Sequence, residues 1–405
     1  MALYNQTVDF LSETFSNNRT HLPILATAGA SFTLGLLARS LLPQKEPLPL
    51  LVSPRTTVLP EISESKNHEL PLPPDVLPGA RDVDSPYGSM RVYEWGPEDG
   101  PKVLFVHGIT TPCIALGGLA HALVDRGCRV MLFDLFGRGY SDCPADLPQD
   151  IRLFSTQILL ALASSPISWT GAESGKFCLV GYSLGGGIAA GFASYLPQLT
   201  SSVVLLAPSG LIRDSQISFQ TRLLYSKGLV PENILGYLVS RRLKAGPLVT
   251  PKFKSPKLNA SSALTEELPS QNAADVQILS RKYPDISVPS AVAWQVNHHT
   301  GFVHAFMSSM RYGPILRERQ WNTWARLGEY LTAQNNATSS GERKPSDNKV
   351  HILCGNTDSI IVKSELVPDA TAALGGNVVF KFYEAGHEFP STKYEEVAAY
   401  IAELL

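Results

Sequence analysis

Residues 177–195 read FCLVGYSLGGGIAAGFASY, and this stretch restricts the fold more than any other part of the chain. Its first four residues form an apolar run of the kind found in strands buried on both faces. From Gly185 onward the residues are small and helix-compatible, with an apolar face. Between the two lies Ser183, with Gly181 two residues before it and Gly185 two after. A strand that turns straight into a helix leaves little room for side chains at those glycines and strains the residue between them. The Ser183 hydroxyl then stands at the top of the strand and at the helix N-terminus, where the dipole favours negative charge. For the pentapeptide alone, a glycine-rich turn with an ordinary serine is the alternative. The rest of the chain decides between them.

The same rhythm runs from about Gly88 to the C-terminus. Apolar runs at 102–106, 130–134, 203–207, 350–354 and 378–383 read as strands, and SMRVYEWG precedes them as another. Helical patterns fall at 115–126, 151–163, 185–195, 364–374 and 394–405. Strands alternating with helices predict an α/β fold with a mostly parallel sheet, helices on both faces. Ligands of such sheets bind beyond the carboxyl ends of the strands. Ser183 stands at one such end. Asp358, in CGNTDSII, follows the run 350–354, and His387, in EAGHEFP, follows 378–383.

The chemistry of a serine nucleophile needs all three side chains. The hydroxyl must lose its proton to an imidazole as it attacks, and a carboxylate must fix the imidazole tautomer. The chain order Ser, Asp, His belongs to sheets with a serine at a strand-to-helix elbow. Singly, Asp358 reads equally as a turn or helix-cap residue, and His387 as a loop histidine. Asp214, after the run 203–207, is the competing carboxylate. In VHGITTP, the glycine after the strand lets the backbone bend so that an amide points inward. The backbone N–H groups of Leu184 and Ile109 are therefore the expected oxyanion donors. His107 reads as structural.

On VHG, DLFGRGYSD, GYSLGGG, GNTDSI and AGHEFP, in that order, the chain from about Gly88 to Leu405 resembles the α/β-hydrolase family. The resemblance implies an eight-stranded sheet, a Ser183–Asp358–His387 triad, and a cap inserted over the site at about 211–300. It also implies that Asp134, Gly137, Arg138, Gly139 and Ser141 shape the pocket-side loop without catalysing. The elbow carries serine rather than aspartate, which disfavours the epoxide-hydrolase and haloalkane-dehalogenase branches. The overall look is similar to fungal and animal α/β-hydrolase-domain proteins and monoacylglycerol-lipase-like enzymes. The expected substrate is a small apolar ester, thioester or lactone. Acyl transfer or cyclisation on the same triad, and a non-catalytic binding role, stay open as alternatives.

The 405 residues suffice for one large domain with additions, and a net charge of −2 gives no footprint for nucleic acid. The five cysteines show no metal-ligand spacing and read as reduced core thiols. His298, His299 and His304 lack acidic or cysteine partners, so no metal and no cofactor is expected. Residues 22–42, LPILATAGASFTLGLLARSLL, are 21 mostly apolar residues, against the roughly 20 that span a bilayer. They predict a single anchor within the segment 1–42, with Arg39, Lys45 and Arg55 placing the following chain on the cytoplasmic side. Residues 43–86 hold ten prolines and read as a stiff, extended linker before a domain at 87–405. Residues 334–349 read as a polar surface loop with a glycosylation sequon at Asn336.

Overall fold

Continuous apolar runs build the centre of the sheet. In order across it, the strands are β10 (Val378–Tyr383), β9 (Val350–Gly355), β8 (Thr200–Leu206), β7 (Phe177–Tyr182), β4 (Lys102–Val106), β5 (Arg129–Phe133), β3 (Met90–Trp95) and β2 (Arg81–Val83). From β10 to β5 the neighbours are parallel; β3 and β2 complete one edge antiparallel. Phe105, Val180, Leu205 and Ile352 are 1% exposed or less, as two covered faces require. Each such side chain contributes about 1.5–3 kcal/mol relative to an exposed one. The register sets Val106 beside Gly181, Tyr182 beside Leu206, and Tyr383 beside Gly355. Residues that follow these strands therefore meet at one edge of the sheet.

The computed structural model describes residues 27, 29–35, 37, 50–171, 175–216, 231–244, 278–338 and 348–405. Contacts divide the chain into Met1–Pro47 and Leu48–Leu405. In the first unit, residues 27, 29–35 and 37 are helical, and the rest of the run 22–42 lies outside the described residues. Among the described residues, no helix is long and apolar enough to cross a membrane.

The sheet is covered by α1 (Gly117–Val124), α2 (Ile151–Ala163), α3 (Leu184–Tyr195), α7 (Arg317–Thr338), α8 (Lys363–Ala373) and α9 (Tyr394–Glu403). Of three more helices, α4 (Glu232–Lys244) and α5 (Val288–His298) come from the region read as the cap, and α6 (Phe302–Tyr312) directly follows it. Helix α2 starts where Asp150 accepts the N–H groups of Arg152 and Leu153, a cap that stabilises by about 1 kcal/mol. Helix α5 starts at a reciprocal Ser287–Ser290 capping box. Residues 217–230 and 245–277 of the cap region lie outside the described residues. Where the chain leaves the sheet and returns, Gly210 N–H donates to the Ile315 carbonyl and Arg317 N–H to that of Ile212, both at 2.9 Å.

The proline-rich stretch departs from the sequence expectation. Residues 50–86 belong to the packed domain rather than to an extended spacer. Leu50–Leu51 (β1) pairs antiparallel with Cys143–Pro144 (β6), and Arg81–Val83 adds the edge strand. Leu72, Val76 and Leu77 are 2% exposed or less, and the Asp142 carboxylate holds the N–H groups of Ser53 and Ser89. Proline removes donors and so breaks long regular elements, but the leucines and valines between the prolines still bury. The loop read at 334–349 also shifts: residues 334–338 end α7, with Asn336 exposed on it, and 339–347 lie outside the described residues.

Candidate active site

The turn after β7 is as tight as its glycines demand. A Cβ on Gly181 would sit 2.2 Å from the Gly185 carbonyl oxygen, and one on Gly185 would sit 2.1 Å from that of Val106. Between them, Ser183 takes φ 54° and ψ −116°, a left-handed conformation that L side chains rarely adopt. The surroundings fix this strain: Ser183 N–H donates to the Leu206 carbonyl, and the Ser183 carbonyl accepts from Gly186 and Ser209, all at 2.9 Å. The side chain is left facing His387.

Beyond the ends of β9 and β10, two loops are tied together. Asn356 N–H donates to the Tyr383 carbonyl at 2.8 Å and Thr357 N–H to that of Ala385 at 3.1 Å. This pairing sets Asp358 against His387. The His387 Nδ1 to Asp358 Oδ2 distance is 2.7 Å, and His387 Nε2 to Ser183 Oγ is 3.0 Å. Both the His387 and the Asp358 side chains are fully buried, and Ser183 is 7% exposed. The other carboxylate oxygen, Oδ1, accepts the N–H groups of Ile360 and Ile361, each at 2.8 Å. With Nδ1 donating to a carboxylate, Nε2 carries the lone pair and accepts the Ser183 proton. Tyr182 steadies the ring from β7: its hydroxyl donates to the His387 carbonyl at 3.2 Å, and the rings lie 5.3 Å apart.

Asp214 is not the partner of this histidine. It opens the 3-10 turn Asp214–Gln216, where its N–H reaches Glu318 at 3.4 Å. The three residues expected as a triad are brought together, and the competing carboxylate is placed with the chain leaving the sheet.

Both expected oxyanion donors stand at this edge. Leu184 is the first residue of α3, and a first-turn N–H has no intrahelical acceptor. For Ile109 the decisive neighbour is His107. Its Nδ1 donates to the Gly108 carbonyl at 2.8 Å, while its Nε2 accepts the Leu135 N–H at 2.8 Å. A planar trans peptide directs the Ile109 N–H opposite the Gly108 carbonyl, so His107 sets the direction of that N–H. Burial, reinforced by the nearby Arg138 charge, pushes the His107 pKa down to about 3 and keeps the ring neutral.

In the loop 134–142, the Asp134 carboxylate is buried and accepts the N–H of Cys113 at 2.9 Å and of Tyr140 at 3.0 Å. Gly139, at φ +51°, leaves only enough space for that carboxylate. Ser141 Oγ donates to the Asp134 carbonyl at 2.6 Å. Gly137 packs on Ala305 of α6. These contacts fix the loop between the segment after β4 and helix α6.

The histidines of the cap region take backbone partners. His299 Nε2 donates to the Ser141 carbonyl at 2.8 Å and its Nδ1 accepts the Gly301 N–H at 3.0 Å. His298 bonds the Trp294 carbonyl and stacks on the Trp294 ring. Among the described residues, no group of three or more His, Cys, Asp or Glu is placed to hold a metal ion. All five cysteines are free and buried.

These neutral, buried histidines make stability depend on pH. Burial holds His107 near a pKa of about 3 and His299 near about 4. Unfolding returns each toward roughly 6.5. Above that value both states are neutral and nothing is lost. As pH falls, the unfolded chain takes up protons first, so stability declines down to the folded pKa. By pH 5 the loss is about 2 kcal/mol per histidine. Urea unfolding at pH 7.5 and pH 5 reads it directly. His299→Gln keeps both a donor and an acceptor and is expected to flatten the decline. Equal stability at the two pH values contradicts the argument.

Residues 103–400 match the model of the alpha/beta hydrolase family. A stretch of 147 residues is 30% identical to an uncharacterised protein of Mycobacterium tuberculosis, covering 36% of this chain and 40% of that one. Another of 125 residues is 26% identical to a serine hydrolase-like protein of Dictyostelium discoideum, covering 30% of this chain and 33% of that one. The chain therefore spans two fifths or less of the length of these curated relatives. Among solved structures, epoxide hydrolase A from Mycobacterium thermoresistibile is similar at a TM-score of 0.52 and 18% identity, covering 81% of this chain and 98% of that one. That likeness concerns the fold. With the family match running from β4 into α9, and the eight-stranded, mostly parallel sheet beneath it, the chain belongs to the alpha/beta hydrolase family.

Proposed function

We propose that the protein is an esterase-type serine hydrolase that cleaves a carboxylic ester, thioester or lactone of an apolar substrate. The observation that carries this reading is the continuous relay from Ser183 through His387 to Asp358, at 3.0 and 2.7 Å. In the first half-reaction, Ser183 Oγ passes its proton to His387 Nε2 and attacks the carbonyl carbon. The carbonyl oxygen takes the negative charge and is stabilised by the Leu184 and Ile109 N–H groups. Asp358 stabilises the imidazolium. The imidazolium then gives its proton to the leaving oxygen or sulfur as that bond breaks. Water, deprotonated by His387, releases the acid from Ser183 in the second half.

The apolar side chains on the neighbouring surface support an apolar substrate. A shallow, half-open cleft lies between the loop after β8 and the Asp358 loop, where Leu211, Ile212, Ile360, Ile361 and Leu366 stand beside the polar Gln216 and Glu365. Pro208, also on its wall, adjoins the Ser209 N–H that bonds the Ser183 carbonyl. This reading keeps the protein near the monoacylglycerol-lipase-like branch. The test is covalent labelling by a fluorophosphonate, followed by p-nitrophenyl esters of increasing chain length. Labelling and a preference for longer acyl chains are expected; a protein that neither labels nor hydrolyses any ester refutes the proposal. Acyl transfer is the second reading, favoured by the burial of Ser183 and His387, which limits water. Adding a long-chain alcohol and assaying for the new ester separates the two.

We also propose that residues 22–42 attach the protein to a membrane, on the length of their apolar run. Removing residues 1–42 is expected to move the protein to the soluble fraction with unchanged hydrolysis of a short-chain ester. Full-length protein found in the soluble fraction overturns this.

A further inference from the structure

Three consecutive carbonyls of the loop after β4 are each held by a buried side chain. His107 holds that of Gly108. Arg138 Nε donates to the Ile109 carbonyl at 3.1 Å. Gln295 Nε2 donates to the Thr110 carbonyl. Only the first of these side chains belongs to the loop. Arg138 comes from the loop after β5, and Gln295 from α5 in the cap region. Both are fully buried, and neither is a member of the Ser183–His387–Asp358 relay described above.

From this arrangement we propose that Arg138 and Gln295 are positioning residues for the oxyanion donor Ile109, and that they couple it to the cap helices. The inference rests on the serine-hydrolase reading. Residue 109 contributes its N–H to one peptide unit and its carbonyl to the next. His107 fixes the first unit, and Arg138 fixes the second. Gln295 fixes the unit after that. The Ile109 N–H thus has its direction set on both sides, and an oxyanion hole works only when its donors are aimed before charge develops.

The same two side chains reach the cap. The remaining Arg138 donors go to the Phe136 carbonyl at 3.0 Å and to Ser309 Oγ, on α6, at 2.9 Å. Gln295, on α5, accepts the Gly139 N–H at 3.0 Å through its amide oxygen. One side chain therefore links the oxyanion loop to α6, and the other links it to α5. In a site closed to water, fully made hydrogen bonds of this kind hold a single geometry, and a broken one leaves a buried carbonyl unpaired. The Arg138 guanidinium also sits out of water one peptide from the donor, where its charge favours a developing oxyanion.

The test compares Gln295→Met, Arg138→Lys and Ser309→Ala in the full chain. Fluorophosphonate titration counts active sites, so that kcat is expressed per labelled serine. A boronic acid that adds to Ser183 reports the stability of the tetrahedral adduct. Gln295→Met and Arg138→Lys are expected to lower kcat per site by about 10- to 100-fold, less than the loss of a whole oxyanion donor. Boronic-acid affinity falls in the same proportion, while KM and the pH midpoint of kcat/KM stay put. Ser309→Ala leaves the Ile109 bond in place and is expected to cost less than either. A purely structural role instead lowers thermal stability or the number of titratable sites and leaves kcat per site and boronic-acid affinity unchanged; that result overturns the inference. If Arg138→Lys does not fold, Gln295→Met decides. Wild-type protein that fails to label overturns the serine-hydrolase reading, and the inference with it. Labelled variants with unchanged constants overturn the inference alone.

Discussion

Ser183→Ala is expected to abolish fluorophosphonate labelling and to lower turnover by about 10⁴- to 10⁶-fold, the scale on which a triad fails as a unit. The fold should survive. The backbone at residue 183 is held by bonds to Leu206, Gly186 and Ser209 that an alanine also makes. The close approaches that shape the elbow belong to Gly181 and Gly185. What disappears is the oxygen 3.0 Å from His387 Nε2. Thermal stability should hold or rise slightly, since a mostly buried hydroxyl is replaced by a methyl group. Labelling, turnover on one ester and the melting temperature, measured together, separate lost chemistry from lost fold. Undiminished labelling of the alanine variant would remove Ser183 from the mechanism.

The parts of the fold legible in the sequence are those where a local pattern and the tertiary environment agree. Strands β4, β7, β8 and β9 are largely buried, so each centres on an apolar run; β10, at the sheet edge, is mostly half-buried and its apolar run is broken only by Lys381; the expected limits lie within a few residues of those found. The site was legible for the same reason: Ser183, Asp358 and His387 each follow such a run, and a parallel sheet brings those ends together. The proline-rich stretch was misread because local stiffness and burial point in opposite directions there; Leu72, Val76 and Leu77 bury despite the prolines around them. Helix α7 carried a signal that charged residues diluted. Its apolar residues Trp321, Trp324, Gly328-adjacent Leu327 and Leu331 recur at helical spacing, and Trp324 is fully buried. Gln295 had no signal at all. A single glutamine among Val292, Trp294 and Val296 is a packing residue to any periodicity argument, and its partner Thr110 lies 185 residues away. Only the tertiary contact reveals what it holds.

Asp358→Asn is expected to lower turnover by about 10⁴-fold in a protein that stays folded, while Asp214→Asn changes it by less than about tenfold. The direction follows from the donors around the carboxylate. Oδ1 accepts two N–H groups, from Ile360 and Ile361, each at 2.8 Å. An asparagine at this position must keep its oxygen there, because an NH₂ group facing two N–H donors would leave all of them unpaired. Its NH₂ then faces His387 Nδ1, where Oδ2 stood at 2.7 Å. That geometry turns Nδ1 into an acceptor and moves the ring proton to Nε2. A protonated Nε2 cannot take the Ser183 proton, so the relay is blocked although every atom is nearly in place. Asp214, in the turn where the chain leaves the sheet, imposes no such constraint on the ring. Both variants should be assayed on one ester, with folding checked by circular dichroism. A severe loss in Asp214→Asn beside a mild one in Asp358→Asn would mean that the acid stands after β8 rather than β9. Equal, mild losses in both would mean that His387 needs no carboxylate to hold its tautomer.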